Sequence, residues 1–293
     1  MKCLPPSRLA DWITLAKVRV NTLVVATTAG GFYMGTRDPL DWAAMAVTCL
    51  GTALVAGGAA ALNQVAERDT DALMERTKSR PIAALRRSPG EGRIVGAVLS
   101  AAGLAILWWA VNGLATLVAL ATLISYVLFY TPLKRHTSFA AVVGAVPGAL
   151  PPMIGWAASR GSVFDLGSDL GGWSLFLIMF VWQLPHVLAI SWMYREDYGK
   201  AGIPVLPVVD VGGAMTGRQA ALWSATLVPI SVLPAIAGIA SHVYSIGALV
   251  LGLAQLAITV KFALNRTREH ARLVFYASII YLPLLWIVMT ATR

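Results

Sequence analysis

The chain of 293 residues has 57% apolar residues, only 13% charged residues and a mean hydropathy of +0.70. Because soluble domains usually carry about 25% charged residues, this composition excludes an ordinary soluble protein and indicates an integral membrane protein. The formal net charge of +9 does not indicate nucleic-acid binding. The basic residues follow the predicted membrane topology, and the sequence contains no recognition motif of that class.

The apolar residues fall into runs of the length that a helix needs to cross a bilayer, about 20 residues. The first run is the weakest, because it contains Asn21 and several threonines. All runs require the same apolar surroundings, so the sequence predicts an all-α, polytopic membrane protein that forms a single domain over residues 1–293. Its fold is expected to be one bundle of about nine transmembrane helices around a central cavity. The runs cover residues 17–36, 42–62, 94–112, 114–131, 139–158, 172–194, 219–240, 243–263 and 272–291.

The basic residues predict the orientation of the chain. If the N-terminus is cytoplasmic, 20 of the 23 lysines and arginines lie in inner segments, and only Arg37, Arg160 and Arg293 lie outside. This bias is the positive-inside signal, and it also favours contact with anionic lipid. The sequence shows no cleavable signal peptide, so we expect a bacterial inner membrane with the C-terminus outside. The cytoplasmic loops that carry ionisable residues are 64–93, 132–138 and 195–218.

The first of these loops opens with three oxygen-bearing side chains, Asn63, Glu67 and Asp71. Their spacing of four residues places them on one face of a helix. Hard cations such as Mg²⁺ prefer oxygen ligands and are often held by carboxylates together with substrate phosphates. Basic residues follow that are suited to binding those phosphates. The alternative is a charged loop that only sets topology. The basic residues are Arg68, Arg76, Lys78 and Arg80.

A second polar group follows the sixth predicted helix. Glu196 and Asp197 stand at its end and could complete a two-sided metal site, or could simply be a solvated helix terminus. Within the helix lie Gln183, Pro185 and His186. A proline should kink the helix, and polar residues inside a membrane span are functional candidates. His186 lies about 15 Å below Glu196 along a helix, so it contacts a substrate or is a hydrogen-bonded core residue.

A third group combines a basic turn with an irregular helix. Lys134 and Arg135 face the same side of the membrane as the carboxylates. The glycines and prolines between residues 144 and 152 are expected to break the fifth helix. Irregular backbone at membrane depth is tolerated where it is buried or lines a cavity. The break therefore indicates either a substrate cavity or a packing kink between helices.

Taken together, these segments resemble the UbiA-type intramembrane prenyltransferase superfamily, and within it the protohaem IX farnesyltransferase branch. The resemblance runs from about residue 63 to residue 209, and the hydropathy agrees over the rest. Its motifs are Asn63-Gln64 with residues 67–72, Arg76-Thr77 with Arg80-Pro81, the segments 130–135 and 144–152, Trp182-Gln183-Leu184-Pro185-His186, and Asp197-Tyr198 with residues 201–208.

The resemblance implies a prenyltransferase that joins farnesyl diphosphate to a vinyl group of haem B, with hydration, to give haem O. It implies Mg²⁺ on Asn63, Glu67 and Asp71, with Glu196 and Asp197 as further candidate metal ligands. A haem A synthase is the partner that the resemblance implies. The expected substrate contacts are Arg68, Lys78, Arg80, Lys134, Arg135 and Tyr198, with His186 toward haem.

The departures from the superfamily pattern favour the haem branch. His186 and Met193 stand where quinone-type members have aspartates, and Glu67 stands where many members have aspartate. These departures count against the first alternative, a sister enzyme that acts on an aromatic or quinone precursor. A secondary transporter is the second, although a transporter site should lie near the bilayer midplane. Here the carboxylates concentrate at the cytoplasmic edge.

Overall fold

The computed structural model describes residues 8–37, 39–165 and 167–293, and these residues contain no β-strand. The helices are α1 (Arg8–Leu15), α2 (Val18–Gly35), α3 (Trp42–Ala66), α4 (Arg68–Ala72), α5 (Pro89–Ala110), α6 (Gly113–Ile124), α7 (Thr131–Leu133), α8 (Ala140–Ala149), α9 (Pro151–Arg160), α10 (Leu170–Met193), α11 (Arg195–Lys200), α12 (Leu206–Val209), α13 (Ala214–Ile230), α14 (Leu233–Ile236), α15 (His242–Leu264) and α16 (Arg268–Ala291). A π-helical segment, Ser125–Tyr130, joins α6 to α7.

Eight helical segments of the described chain are long and apolar enough to cross a bilayer, which makes the protein a multi-pass membrane protein. The first predicted run forms α2, in which Arg19, Asn21 and threonines lower the hydropathy. Eight spans together with α2 agree with the prediction of about nine. The spans are Trp42–Ala66, Pro89–Ala110, Gly113–Leu133, Ala140–Arg160, Leu170–Met193, Ala214–Ile236, His242–Leu264 and Arg268–Ala291.

Two irregularities shape the middle of the bundle. The predicted break in the fifth run is confirmed, since α8 ends at Ala149 and α9 begins at Pro151. The π-helical segment lies beside it and packs against α8. Such segments are rare and often mark functional sites. By contrast, α10 continues as an α-helix through Pro185.

The helices of the first half pack at very close range through glycines. In α3 and α5, a Cβ added to Gly58 would lie 2.6 Å from the carbonyl oxygen of Gly96, and one added to Gly103 would lie 2.6 Å from that of Gly51. Helices in membranes associate through such small residues, because apolar lipid offers no hydrophobic driving force. The glycines therefore set the distance between α3 and α5, and with it the position of the polar C-terminal end of α3.

Gly58→Ala should destabilise the protein, whereas its neighbour Gly57→Ala should not. The Gly58 methyl would lie 2.2 Å from Ser100 Oγ and against the α5 backbone, while the Gly57 methyl would meet Ala16 Cβ at 3.6 Å, an ordinary contact. Overpacking costs about 1–3 kcal/mol, and both variants gain the same helix propensity. Thermal unfolding in detergent tests the difference. Equal midpoints for the two variants would contradict the close packing.

The helices surround an internal cavity in the N-terminal half of the bundle. Its walls come from α2, α3, α6, the π-helical segment, α8, α9 and α10. Helix α15 packs against α13 and α16, and both of these also pack against α10. At the cytoplasmic end predicted from the charges, α1 is fastened to α3, because Gln64 Nε2 donates to the carbonyl oxygens of Thr14 and Leu15. On α3 the cavity wall extends to Ala60, about one turn before the polar C-terminal end of that helix.

Candidate active site

The three predicted oxygen ligands lie together at the junction of α3 and α4. Asn63, Glu67 and Asp71 are buried, with exposed fractions of 1%, 5% and 1%. Helix α3 ends at Ala66 and α4 begins at Arg68, but hydrogen bonds between residues four apart continue through Glu67. The Glu67 amide donates to the Asn63 carbonyl at 2.9 Å, and the Asp71 amide donates to the Glu67 carbonyl at 2.8 Å. The junction therefore keeps all three side chains on the predicted face.

Three cations from different parts of the chain face these oxygens. Lys134 Nζ donates to Glu67 Oε1 at 2.9 Å, and Arg80 donates to Asp71 Oδ2 at 2.7 Å. Lys17 Nζ, at the start of α2, donates to Asn63 Oδ1 at 3.2 Å. Buried charges are retained in proteins when they are paired and hydrogen-bonded. The site is thus a compact set of alternating charges, to which the N-terminal segment and two loops each contribute a cation.

The surroundings set the protonation of the carboxylates. Burial alone would raise the pKa of Glu67, but Lys134, Lys17 and Arg80 together hold that pKa below its ordinary value. Burial raises the pKa of Asp71, although Arg80 opposes the shift. Burial, followed by the charge of Arg80, lowers the pKa of Lys17 to about 8. Glu67 is therefore ionised at neutral pH, and Lys17 loses its proton at a lower pH than an exposed lysine does.

One buried oxygen in this cluster has no partner within the described residues. Asp71 Oδ1 accepts no hydrogen bond, whereas Asp71 Oδ2 is bound to Arg80. A buried oxygen without a partner is costly and calls for an explanation such as an ion. No group of three His, Cys, Asp or Glu side chains comes together anywhere in the described ranges, and this cluster has two carboxylates and one amide. The oxygen set of Asn63, Glu67 and Asp71 is nevertheless the kind that Mg²⁺ prefers, so the residues fit that ion.

The cavity beside this cluster has a volume of about 430 Å³. Lys17 and Arg80 line its charged end. Its walls are mainly apolar and come from several helices. A polar head bound at the charged end would leave a long apolar tail inside the bundle. The apolar lining residues are Val20, Val24, Val55, Ala56, Ala59, Ala60, Leu123, Ala141, Pro147, Pro151, Ile154 and Val187.

Two tyrosines join the charged end to the apolar walls. Tyr126 and Tyr130 line the cavity and stack with ring centroids 5.5 Å apart. Thr131 fixes this segment to the cluster, because it accepts from Asn63 Nδ2 at 3.2 Å and donates to the Tyr126 carbonyl at 2.8 Å. The π-helical segment therefore presents two aromatic faces to the space next to the carboxylates. Aromatic faces attract cations.

The second polar loop meets the first through Arg76. Its guanidinium lies over the rings of Tyr198, at 4.5 Å, and Tyr194, at 5.3 Å. Tyr198 is buried near the carboxylate cluster and packs with Met74. Glu196 and Asp197 line a different cavity, together with Glu75 and three arginines, Arg195, Arg266 and Arg268. The structure therefore brings Tyr198 to the site but does not bring these two carboxylates to the first cavity.

The remaining predicted phosphate contacts lie outside the first cavity. Arg68 pairs with Asp69 at 3.1 Å, and Lys78 pairs with Glu75 at 2.6 Å, both at exposed positions. Arg135 is exposed and donates to the carbonyl of Ala66 at the end of α3. Of the five basic residues predicted to bind phosphate, only Arg80 and Lys134 contact the carboxylates.

His186 is held by aromatic neighbours. Its ring stacks on Trp182 at 5.2 Å and on Phe275 of α16 at 5.0 Å. Its Nδ1 lies 2.7 Å from Ser278 Oγ. The neighbouring Gln183 lines the first cavity, but His186 does not. His186 therefore faces the boundary between α10 and α16.

Sequence reasoning missed the contributions of Lys17, Tyr126, Tyr130 and Thr131, and assigned no role to Gln183 in the cavity. Lys17 had one available signal, since a lysine directly before a membrane helix stands at the level of the carboxylates. Tyr130 and Thr131 lie in the motif segment 130–135 but were given no role there, and nothing local marked Tyr126. The role of the two tyrosines follows from the π-helical segment, which turns both rings toward the cavity.

The model of the UbiA prenyltransferase family matches residues 23–284, and this range contains almost every feature described above. The chain belongs to the UbiA prenyltransferase family. It is 41% identical to the protoheme IX farnesyltransferase of Solibacter usitatus, over 97% of this chain and 99% of that protein. It is 42% identical to the protoheme IX farnesyltransferase of Opitutus terrae, over 95% and 92% of the two chains. The predicted family is thus confirmed, and the protein is a prenyltransferase.

Solved structures of this family share the fold. A digeranylgeranylglyceryl phosphate synthase superimposes with a TM-score of 0.80 at 16% identity, over 97% of this chain and 98% of that chain. A UbiA homologue from Archaeoglobus fulgidus bound to GPP and Mg²⁺ superimposes with a TM-score of 0.64 at 17% identity, over 95% and 99% of the chains. The predicted all-α bundle is therefore confirmed.

Proposed function

We propose that this membrane enzyme transfers the farnesyl group of farnesyl diphosphate to a vinyl group of haem B, with addition of water, to give haem O and diphosphate. The observation that carries the proposal is the buried Asn63, Glu67 and Asp71 cluster, whose partners Lys17 and Arg80 line the charged end of an apolar cavity. The choice of substrates is supported by the near full-length similarity to protoheme IX farnesyltransferases. Neither a quinone-type acceptor nor a transported solute has comparable support.

In this proposal Asn63, Glu67 and Asp71 hold Mg²⁺, and the unpartnered Asp71 Oδ1 is the oxygen most ready for it. When bound, the ion neutralises charge on the diphosphate leaving group. Lys17, Arg80 and Lys134 supply positive charge at the same place, and each already has its position set by an oxygen of the cluster. Such prearranged charges stabilise a leaving group without reorganisation during the reaction.

The apolar walls bind the farnesyl chain and exclude water from its C1 carbon. The bond between C1 and the diphosphate oxygen breaks, and the diphosphate takes the electron pair. The faces of Tyr126 and Tyr130 stabilise the allylic cation that remains. The vinyl group of haem B donates its electron pair to C1. Water then adds to the new cation on the substituent and loses a proton, which leaves a hydroxyethylfarnesyl group.

The proposal is tested with purified protein, haem B, farnesyl diphosphate and Mg²⁺. Pigment extracted after the reaction should contain a haem whose mass has increased by one farnesyl group and one hydroxyl group, and formation of this product should stop when Mg²⁺ is chelated. A parallel reaction with an aromatic quinone precursor in place of haem B should give no product. Prenylation of that precursor, with none of haem B, would refute the proposed acceptor.

The proposed orientation places the N-terminus and the carboxylate cluster in the cytoplasm, and the C-terminus outside the inner membrane of a bacterial cell. It is supported by the concentration of basic residues on one side. Reporter fusions after Arg293 test it. A haem A synthase is the proposed partner, on the basis of the family resemblance alone.

His186→Ala should weaken haem binding more than farnesyl diphosphate binding. The reason is its position at the boundary of α10 and α16, away from the carboxylate cluster and one helical turn before Ile190. Separate affinity measurements for the two substrates and the haem absorption spectrum test the prediction. Equal weakening of both affinities, together with a lower unfolding temperature, would instead identify His186 as a core residue that only joins the helices.

A further inference from the structure

A groove of about 440 Å³ lies between the cytoplasmic ends of α10 and α16, outside the carboxylate cluster. One side carries Arg268 and Arg272, which are four residues apart on α16 and therefore on one face. Arg76 approaches from the first polar loop. The floor is apolar and aromatic, and includes Ile190 and Phe275. The groove therefore combines three arginines with apolar and aromatic side chains.

The three arginines of this groove form no ion pair within the described residues, although Arg268 also lines the adjoining cavity that contains Glu75, Glu196 and Asp197. Within the part of the chain that the structure describes, no carboxylate oxygen lies within 4.0 Å of Arg76, Arg268 or Arg272. Arg76 instead lies over two tyrosine rings. Arginine is always protonated, and its planar fork matches a carboxylate with two hydrogen bonds. Three unpaired arginines around one groove indicate an anionic ligand.

The groove continues the first cavity along one face of α10. Gln183 and Val187 line the cavity, and Ile190 and Tyr194 line the groove. The spacings of four, three and four residues place all four side chains on one stripe of the helix. A ligand in the groove would thus lie next to the open side of the cavity, at the cytoplasmic end where the carboxylates stand.

We propose that this groove binds the tetrapyrrole acceptor, an inference that rests on the proposed function. The two propionate groups would bind Arg268, Arg272 and Arg76, and the ring would lie against Ile190 and Phe275 with one edge toward Val187. The ligand class follows from the lining, because an apolar ring with two carboxylates matches apolar and aromatic side chains beside three arginines. His186 stacks on Phe275, which lines the groove.

The proposal assigns the two substrates to different groups of basic residues at different places in the molecule. The diphosphate binds at Lys17, Arg80 and Lys134, which are hydrogen-bonded to oxygens of Asn63, Asp71 and Glu67. The carboxylates of the acceptor bind at arginines that form no ion pair within the described residues. Substitution of the groove arginines should therefore affect only one substrate, which makes the two sites separable by experiment.

The test uses the purified full chain in nanodiscs of zwitterionic phosphatidylcholine, without Mg²⁺ or farnesyl diphosphate. Binding of haem B and of its dimethyl ester, in which both propionates are neutral, is followed by absorbance. We expect the wild type to prefer haem B about tenfold per charge-assisted contact. The Arg268→Gln/Arg272→Gln variant should lose that preference, with an unchanged affinity for the ester. Arg272→Lys should retain part of it.

Arg218→Gln is the matched control, because Arg218 is an exposed arginine on α13 that lines neither cavity nor groove. It should bind haem B as the wild type does. The affinity for farnesyl diphosphate, measured with Mg²⁺, should stay within about twofold in every variant, which is less than the loss of one charged hydrogen bond. Matching unfolding temperatures show that the double variant is folded.

Several results would overturn the groove as the acceptor site. These are an unchanged haem B affinity in the double variant, an equal loss for haem B and its ester, or an equal loss for farnesyl diphosphate. Competition by phosphatidylglycerol that disappears in the double variant would assign the groove to lipid headgroups instead. If the wild type forms haem O and the double variant still binds haem B normally, the groove is not the acceptor site, but the proposed function stands. A wild type that binds haem B through these arginines but transfers no farnesyl group would refute the proposed function alone.

Discussion

Asp71→Asn should lower the rate of farnesyl transfer by about 100- to 1,000-fold, the usual cost of losing one preorganised electrostatic contact at a reacting group. The substitution keeps the size of the side chain and removes its charge. The oxygen Asp71 Oδ1, which has no partner in the described residues, would become part of a neutral amide. Glu67→Gln should have a similar effect, because Glu67 supplies the other carboxylate.

Two exposed acidic residues on the same loop serve as matched controls. Asp69→Asn removes the same charge two residues away, where the side chain is 75% exposed and pairs with Arg68. Glu75→Gln does the same at a position that is 70% exposed. Both should keep nearly full activity. The rate of haem O formation across a Mg²⁺ titration, with unfolding temperatures for all four variants, tests the assignment. Near-normal activity of Asp71→Asn at any Mg²⁺ concentration would show that this cluster does not bind the metal.

Lys134→Ala should destabilise the protein and weaken farnesyl diphosphate binding, whereas Arg135→Ala should do little of either. Lys134 is 14% exposed and is bound to the buried Glu67 at 2.9 Å. Removing one partner of a buried ion pair typically costs about 3–5 kcal/mol, because the other charge is left uncompensated. Arg135 is exposed and contacts only the end of α3, so we expect an effect below about 1 kcal/mol.

A double variant separates the two effects of Lys134. Glu67→Gln/Lys134→Met removes both charges of the pair, so most of the lost stability should return, while activity should stay low. Thermal unfolding and isothermal titration with farnesyl diphosphate would measure the two effects independently. If Arg135→Ala weakened diphosphate binding as much as Lys134→Ala, the assignment of diphosphate binding to Lys134 and not to Arg135 would be wrong.

The hydropathy of the chain was sufficient to predict the helices. Runs of about 20 apolar residues must be helical in a bilayer, because every backbone polar group needs a partner within the span. The break in the fifth run was also predictable, since glycines and prolines at membrane depth disrupt a helix. The stripe of Asn63, Glu67 and Asp71 followed from helical periodicity, which the junction of α3 and α4 preserves. The resemblance carried by these motifs then indicated the family.

Only the tertiary structure decided which charges meet. Lys134 and Arg135 are adjacent in sequence and equally basic, yet one binds Glu67 and the other faces solvent. Lys17 joins the site from 46 residues before Asn63, and Tyr126 and Tyr130 join it because a π-helical segment turns their rings inward. Sequence periodicity reports the face of one helix, whereas such meetings depend on how several helices pack. The packing is set by close contacts such as Gly58 on Gly96, and no single segment contains that information.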